Sequence, residues 1–589
     1  MGDFVTKKII SEKSGRIPLL WKIILFVQIV VWIPLPFLGF DSHHDGLILT
    51  TVHMLREAIL NGGAWPFNQY GPFWAMPFVL GTIAFPSEWT FTIIRIMTVG
   101  FYLLTGLLVY KCAKIISTIK IAFISVLIFF LSQPFLTDYG SALVPWPSAV
   151  IMPIFMTATL LFLKLHLREI TPTQKKYFSS IIGILFSGIF SSRAQIGFLV
   201  LIVALLILFF NKQITALVFL IIGFLSSTLL IAIFLNYHGW LSDALSDEFI
   251  FGSLYLRGDT STYPIPIFTF IGVSAFLFIL NFGGKITKTI EMKYSLKFIA
   301  ILFFGLLISI FFVFYAILDS RGIDFLPMLV TISRRFWVSY FLAVIAYSFF
   351  KQLKETYNAY ISRNIQGSKL QMRNSLVLLS VVGELQVYPL FDQMHFWWGS
   401  VPAVILIVIV TKERLVDEIF PSEIRSRLVT ISFVAATALG VIPLAGQISN
   451  TYSQYPKEIS NSLWVSPSAA LDAKELQEFF HLNIEKGSSV LNLCANADIF
   501  FVRDRFYSSS RIFVLWPNIT EIKKMRQSLE GSNPDFVVTC SLSRIQSFQK
   551  SSELVQKQIL QKALTNPLEV AVLKSSPELI WRIWKSIPS

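Results

Sequence analysis

The chain has 589 residues, of which 54% are hydrophobic and only 14% charged, with 55 phenylalanines and a mean hydropathy of +0.65. That composition excludes an ordinary soluble enzyme and points to a polytopic membrane protein. The net charge of +14 does not indicate nucleic-acid binding, because the basic residues lie in short segments between apolar runs, where they act as cytoplasmic anchors. Cys112, Cys494 and Cys540 exclude a disulfide-dense secreted fold and have no metal-ligand spacing. The basic start (Lys7, Lys8, Lys13, Arg16) runs into an apolar segment without a small-residue cleavage pattern, so no cleavable signal is read.

A crossing needs roughly 20 apolar residues. Spans are predicted near 20–40, 91–110, 120–137, 148–166, 178–192, 195–211, 214–236, 264–282, 297–318, 334–350, 374–390, 397–411 and 428–447. The stretch 178–211 lies between Lys176 and Lys212, both read as cytoplasmic, so it must enter and return as two short helices meeting at Ser191-Ser192-Arg193-Ala194-Gln195. On this register every lysine before residue 450 is cytoplasmic, and the opposite side carries only arginines: Arg56, Arg95, Arg193, Arg257, Arg321, Arg334 and Arg335. The bias puts the N-terminus in the cytoplasm and, after about thirteen crossings, the C-terminus outside. From about residue 450 the composition becomes that of a soluble chain. Strand-like runs at 490–493, 512–515 and 535–539 alternate with helical patterns at 468–481, 519–530 and 544–565, which predicts a small extracytoplasmic α/β domain. The expected division is a transmembrane domain over 1–449 and the α/β domain over 450–589. Cys494 and Cys540 both end predicted strands; they pair if those strands are neighbours in an oxidising compartment, and otherwise stay buried thiols.

The densest polar cluster is Asp41-Ser42-His43-His44-Asp45-Gly46, just past the first apolar run, where the chain meets water on the outer side. Titratable groups at such a boundary must be solvated or paired, so they mark a candidate site. Behind them Leu47, Ile48, Val52, Leu55 and Ile59 share one helical face and His53, Arg56 and Glu57 another, which predicts an interfacial amphipathic helix with Asp45 as its N-cap. Capping alone would explain Asp45. The functional alternative is that Asp41, His44 and Asp45 face a cleft, where a carboxylate takes a proton from an acceptor hydroxyl and its neighbours orient substrate or hold a cation. Gln69 and Tyr70 follow in a turn, ringed by Trp65, Trp74 and Trp89, which read either as a membrane belt or as a sugar-stacking surface. Gln386, Tyr388, Asp392 and His395 bring another acid and imidazole to the same side. Arg193, where two short helices meet, needs an anion: a lipid phosphate held two-pronged, or a headgroup reached by snorkelling. Arg334 and Arg335 are a second phosphate candidate or a simple interface anchor.

The pattern Asp41-x-x-His44-x-Gly46, the helix behind it, Gln69-Tyr70-Gly71-Pro72 and the late Tyr388-Pro389-x-x-Asp392-x-x-His395 resembles bacterial members of the GT-C glycosyltransferase superfamily. Its first part is similar to the first-loop motif of protein O-mannosyltransferases, with Ser42 where those enzymes carry a second acid, a place Asp45 would fill instead. The resemblance implies an α-helical polytopic GT-C-like fold and an inverting transferase that takes a sugar from a polyprenyl-phosphate donor. The acceptor would be a cell-envelope glycan, lipid or protein at the outer face of the cell membrane. It implies Asp41 as base with Asp45 and His44 orienting, Arg193, Arg334 and Arg335 at the donor phosphate, and His43, Gln69, Tyr70, Gln386, Tyr388, Asp392 and His395 at substrate. No cofactor is assigned outright; a divalent cation, Mg or Mn, would sit on Asp41 and Asp45 if one is used. A transporter or flippase of a lipid-linked precursor, or an envelope-assembly scaffold, are the rival classes, the first disfavoured by spans nearly free of acids and without a repeat.

Overall fold

The structure is a computed structural model. It describes residues 17–39, 44–86 (except 64 and 66–69), 89–136, 146–245 (except 168), 341–358, 368–384 and 393–412. In the C-terminal part it describes 453–454, 463–492 (except 466 and 486–487), 506–507, 534–542, 566–573 and 579–586, with the single residues 557, 560, 561 and 564.

The N-terminal part is helical. In chain order it contains α1 (Leu19–Val31), α2 (His44–Asn61), α3 (Met76–Thr82), α4 (Thr90–Ile116), α5 (Ile119–Leu136) and α6 (Pro147–Leu165). There follow α7 (Pro172–Phe190), α8 (Ala194–Phe210), α9 (Ile214–Tyr237), α10 (Leu241–Leu245), α11 (Ser368–Glu384), α12 (Gln393–Gly399) and α13 (Val401–Val410). Residues 341–358 are also helical. Among the described residues four stretches are long and apolar enough to cross a membrane: Leu19–Phe37, Thr90–Ile116, Pro147–Leu165 and Ile214–Tyr237. The chain is therefore a polytopic helical protein, with spans at 264–282, 297–318 and 428–447 lying outside the described residues. Two expected spans differ. The run 397–411 is broken into α12 and α13, since Pro402 in the first turn of α13 has no N–H to continue an earlier helix. The helix expected over 374–390 begins earlier, at Ser368, and is described as far as Glu384, residues 385–390 lying outside the described residues.

The paired short helices predicted over 178–211 are present as α7 and α8. Thr171 caps α7 in a reciprocal capping box, its Oγ1 accepting from the Gln174 N–H at 3.2 Å while Gln174 Oε1 accepts from the Thr171 N–H at 3.0 Å. The α7–α8 elbow is tight because Gly197 faces the Phe190 main chain, where a Cβ would come within 2.2 Å of Phe190 Cα. α7 also packs against α9 backbone to backbone. A Cβ on Gly183 would lie 2.1 Å from the Leu220 carbonyl oxygen and one on Gly223 2.1 Å from that of Ser180, and the Ser187 and Thr228 hydroxyls bond across the seam at 2.9 Å. Small residues and a shared hydroxyl bond are how helices associate where lipid removes the hydrophobic drive.

The core of the helical part is aromatic. Trp397 stacks on Phe129 at 5.5 Å and meets Tyr102 edge-on at 5.1 Å, and Tyr102 in turn meets Trp32 at 5.2 Å. Such edge and offset geometries suit the ring quadrupoles. They tie the end of α1 to α4, α5 and α12.

The C-terminal part is α/β. β1 (Ser453–Gln454) and β2 (Trp464–Val465) pair antiparallel, and α14 (Pro467–Asn483) follows. The second sheet contains β3 (Ser489–Asn492), β4 (Phe506–Tyr507), β5 (Phe536–Leu542), β6 (Pro567–Leu573) and β7 (Leu579–Ser586) in the order β4-β3-β5-β7-β6. Its first three strands are parallel and its last two antiparallel. The strands near 490 and 535 and the helix near 468 match expectation; the strand at 512–515 and helix at 519–530 lie outside the described residues. β6 and β7, unforeseen, alternate Arg582 and Glu569 with apolar residues, and their ion pair at 2.7 Å explains why charged positions tolerate this sheet face. β3 and β5 are neighbours, and Cys540 lies on β5, but Cys494 lies outside the described residues.

Candidate functional site

The geometry converges on one end of the helical part, the end the lysine bias assigns to the outside. Arg193 sits in extended backbone (φ −150°, ψ 92°) immediately before α8. Its Nη1 donates to Ser148 Oγ in the first turn of α6 at 3.3 Å, and its guanidinium lies 5.6 Å from the centre of the Tyr70 ring. Tyr70 meets Trp146 edge-on at 6.0 Å and Trp74 at 6.4 Å, and Trp146 meets Trp398 of α12 at 6.1 Å. The loop carrying Tyr70 is docked into the α7–α8 elbow by main-chain bonds, Gly71 N–H to the Ser192 carbonyl at 3.2 Å and Phe73 N–H to that of Ser191 at 3.0 Å. The fit needs Gly188, where a Cβ would meet the Phe73 ring at 3.0 Å. A guanidinium held between an aromatic face and a hydroxyl keeps its plane and its fork of donors fixed, the form in which arginine recognises phosphate or carboxylate two-pronged.

Two of the sequence candidates, Arg193 and Tyr70, are thus brought together from positions 123 residues apart. His44 and Asp45 lie in the first turn of α2 and His395 in α12; the structure describes only the main chain at these three. Asp45 follows His44 inside α2 and so is not the N-cap expected from the sequence. Asp41, His43, Gln69, Arg334, Arg335, Gln386, Tyr388 and Asp392 lie outside the described residues. Among the described residues no three His, Cys, Asp or Glu side chains gather as metal ligands.

The sequence did not single out Ser148, Trp146 or Trp398, which only tertiary contact connects to Arg193. It also treated the polar face of α2 as solvated. Instead Arg56, 8% exposed, donates to Glu57 at 2.7 Å and to the Phe85 carbonyl at 3.1 Å, because α3 and the chain after it fold over that face. Glu384, the last described residue of α11, has both carboxyl oxygens shut from solvent and no hydrogen-bond partner among the described residues, an acid in a run the sequence reading took as nearly acid-free.

His53, one turn before Glu57 on α2, is held neutral. Burial lowers its pKa from 6.5 to about 4, outweighing the Glu57 carboxylate, which raises it; Arg56 lowers it further. The unfolded chain therefore takes up this proton first as pH falls, so the stabilising contribution is complete above pH 6.5 and is lost between 6.5 and about 4. Melting temperatures of detergent-solubilised protein should decline over that window in the wild type and decline less in His53→Gln. Equal slopes would mean that His53 titrates normally.

No family model and no curated protein matches the chain. Several solved structures do. The oligosaccharyltransferase of Archaeoglobus fulgidus, in a complex with Zn and sulfate, aligns at 13% identity over 87% of this chain and 67% of its own, with a TM-score of 0.48. The same enzyme, AglB, in complex with an inhibitory peptide and a dolichol-phosphate aligns at 14% identity over 88% and 69%, with a TM-score of 0.44. ArnT from Cupriavidus metallidurans bound to undecaprenyl phosphate aligns at 13% identity over 95% of this chain and 97% of its own, with a TM-score of 0.41. At these identities and scores the likeness is remote.

Proposed function

We propose that the chain is a glycosyltransferase that moves a sugar from a polyprenyl-phosphate donor to a cell-envelope glycan, lipid or protein acceptor at the outer face of the membrane, with inversion. The observation that supports it most is Arg193 poised between Tyr70 and Ser148 at the outer end of a helix elbow. A lipid-linked donor explains the need for a membrane body: its chain lies in the bilayer, its phosphate meets the guanidinium, and its sugar reaches the water boundary where the Asp41 loop begins.

In the proposed reaction Asp41 accepts the proton of the acceptor hydroxyl as that oxygen attacks the anomeric carbon. The bond from the anomeric carbon to the phosphate oxygen breaks, its electron pair leaves with polyprenyl phosphate, and Arg193 stabilises the charge that develops there. One displacement inverts the anomeric centre. His44 and Asp45 orient the acceptor; Asp392, His395, Gln69, Tyr70, Gln386, Tyr388 and His43 are the proposed sugar and acceptor contacts. Arg334 and Arg335 are further phosphate contacts. If the enzyme uses Mg or Mn, Asp41 and Asp45 would hold it and it would lower the negative charge at the phosphate.

The decisive assay offers the purified protein a synthetic polyprenyl-phosphate sugar or the matching nucleotide sugar. Transfer from the lipid donor alone is expected; transfer from the nucleotide sugar alone would refute the proposal. The proposed orientation rests on the lysine bias, and the contact of Gly39 with Trp464 of β2 supports a shared side for residue 39 and the start of the C-terminal part. Single cysteines at positions 43 and 460 should react with an impermeant reagent in intact cells while one at 358 should not. The reverse pattern would turn the map over.

A further inference from the structure

Leu38 and Gly39, the last described residues before the Asp41 loop, are gripped from two directions. From within the helical part, Arg95 near the start of α4 is 0% exposed, and its Nη1 donates to the Leu38 carbonyl at 3.1 Å and to the Gly39 carbonyl at 2.9 Å. Its guanidinium also lies 4.5 Å from the centre of the Phe91 ring. From the C-terminal part, the Gly39 N–H donates to the Trp464 carbonyl at 2.8 Å, and Leu38 and Trp464 form a parallel bridge. β2 is firmly seated, since Leu463 and Val465 are each 1% exposed and belong to the same apolar core as Trp32 and Leu35. Gly39 turns the chain at φ 73°, a left-handed conformation that favours glycine.

A buried arginine is costly, and a leucine at this position of α4 would serve a span better. The guanidinium instead reaches the carbonyls of one dipeptide that ends two residues before Asp41. With both carbonyls held by Arg95 and the Gly39 N–H held by Trp464, that dipeptide has little freedom left.

We propose that Arg95 and the Trp464 strand form a two-jawed clamp that positions the first loop. Arg95 is a positioning residue for the transfer reaction, and the C-terminal domain supplies the second jaw, so its role is to hold the catalytic loop in register. The proposal rests on the glycosyltransferase reading, but the clamp itself can be measured without turnover.

In amide hydrogen exchange of the full-length protein in detergent, peptides spanning 35–39 and 463–465 should be protected together in the wild type. In Arg95→Ala both should exchange at least about tenfold faster while α4 peptides around Thr98–Val109 stay protected, and Arg95→Lys should recover part of the protection. With the polyprenyl-phosphate donor, Arg95→Ala should lower kcat at least about tenfold with donor KM changed by less than about threefold, and Arg95→Lys should restore part of the rate. A merely structural arginine would move KM, kcat and expression together, which overturns the positioning role. Unchanged exchange at Gly39 and 463–465 in Arg95→Ala overturns the clamp. Should Arg95→Ala not fold, the double variant Leu38→Cys, Trp464→Cys decides: the two positions should cross-link under mild oxidation, detected as a linked peptide by mass spectrometry, and failure to link overturns the clamp. If wild-type protein transfers from no polyprenyl donor, the functional reading falls while the exchange data still decide the clamp.

Discussion

Asp41→Asn is expected to abolish transfer while leaving expression and donor binding close to wild type. The carboxamide has nearly the same shape but cannot accept the acceptor's proton, and a general base of this kind contributes about 10²–10⁴-fold to rate. Because the loss falls in the chemical step, it should appear in kcat and kcat/KM equally, with KM for the lipid donor unmoved. Asp45→Asn provides the contrast. Asp45 lies inside α2 rather than at its cap, so its replacement should lower stability slightly and transfer modestly. An Asp41→Asn protein with full activity would remove Asp41 from the chemistry, and an Asp45→Asn protein as dead as Asp41→Asn would make the two carboxylates one unit.

The second large effect is expected at Arg193. Arg193→Ala removes the charge-assisted contact to the donor phosphate, a loss of a few kcal/mol or roughly a hundredfold in donor affinity, with little change in the affinity of a soluble acceptor. Arg193→Lys should fall between, because lysine replaces the charge but not the planar fork set against Tyr70 at 5.6 Å and Ser148 at 3.3 Å. Tyr70→Leu isolates the ring's share: if the stacked face fixes the guanidinium, donor affinity drops by several-fold, in line with a cation–π contact worth about 0.5–2 kcal/mol. Titration with a fluorescent polyprenyl phosphate in nanodiscs reads all three variants. Arg193→Ala binding that lipid normally would return the residue to the role of a headgroup anchor.

Several features of this molecule are local, and those were legible in the chain. The apolar runs that became α1, α4, α5, α6 and α9, the elbow between α7 and α8, the amphipathic helix α2 and the switch to α/β composition near residue 450 each follow from periodicity, chain length and charge placement within one window. Arg193 stood out for the same reason: a charge at the joint of two short apolar helices is anomalous wherever the rest of the chain lies. The break between α12 and α13 was missed, although Pro402 signals it, because hydropathy over a long window averages across a kink. β6 and β7 were missed because their ion-paired alternation looks like a solvated tail until β5 is there to pair with them.

By itself the sequence determined that this is a polytopic helical membrane protein with an α/β C-terminal part, and which helices its apolar runs form. Only the tertiary structure decided that Tyr70 lies against Arg193, that Ser148 and Trp146 complete that corner, and that Arg95 and Trp464 grip the chain before the first loop. The physical reason is that burial periodicity records which face of an element avoids water, whereas a hydrogen bond or a stacked ring between residues 45, 57 or 123 positions apart leaves no periodic trace in either partner's own segment.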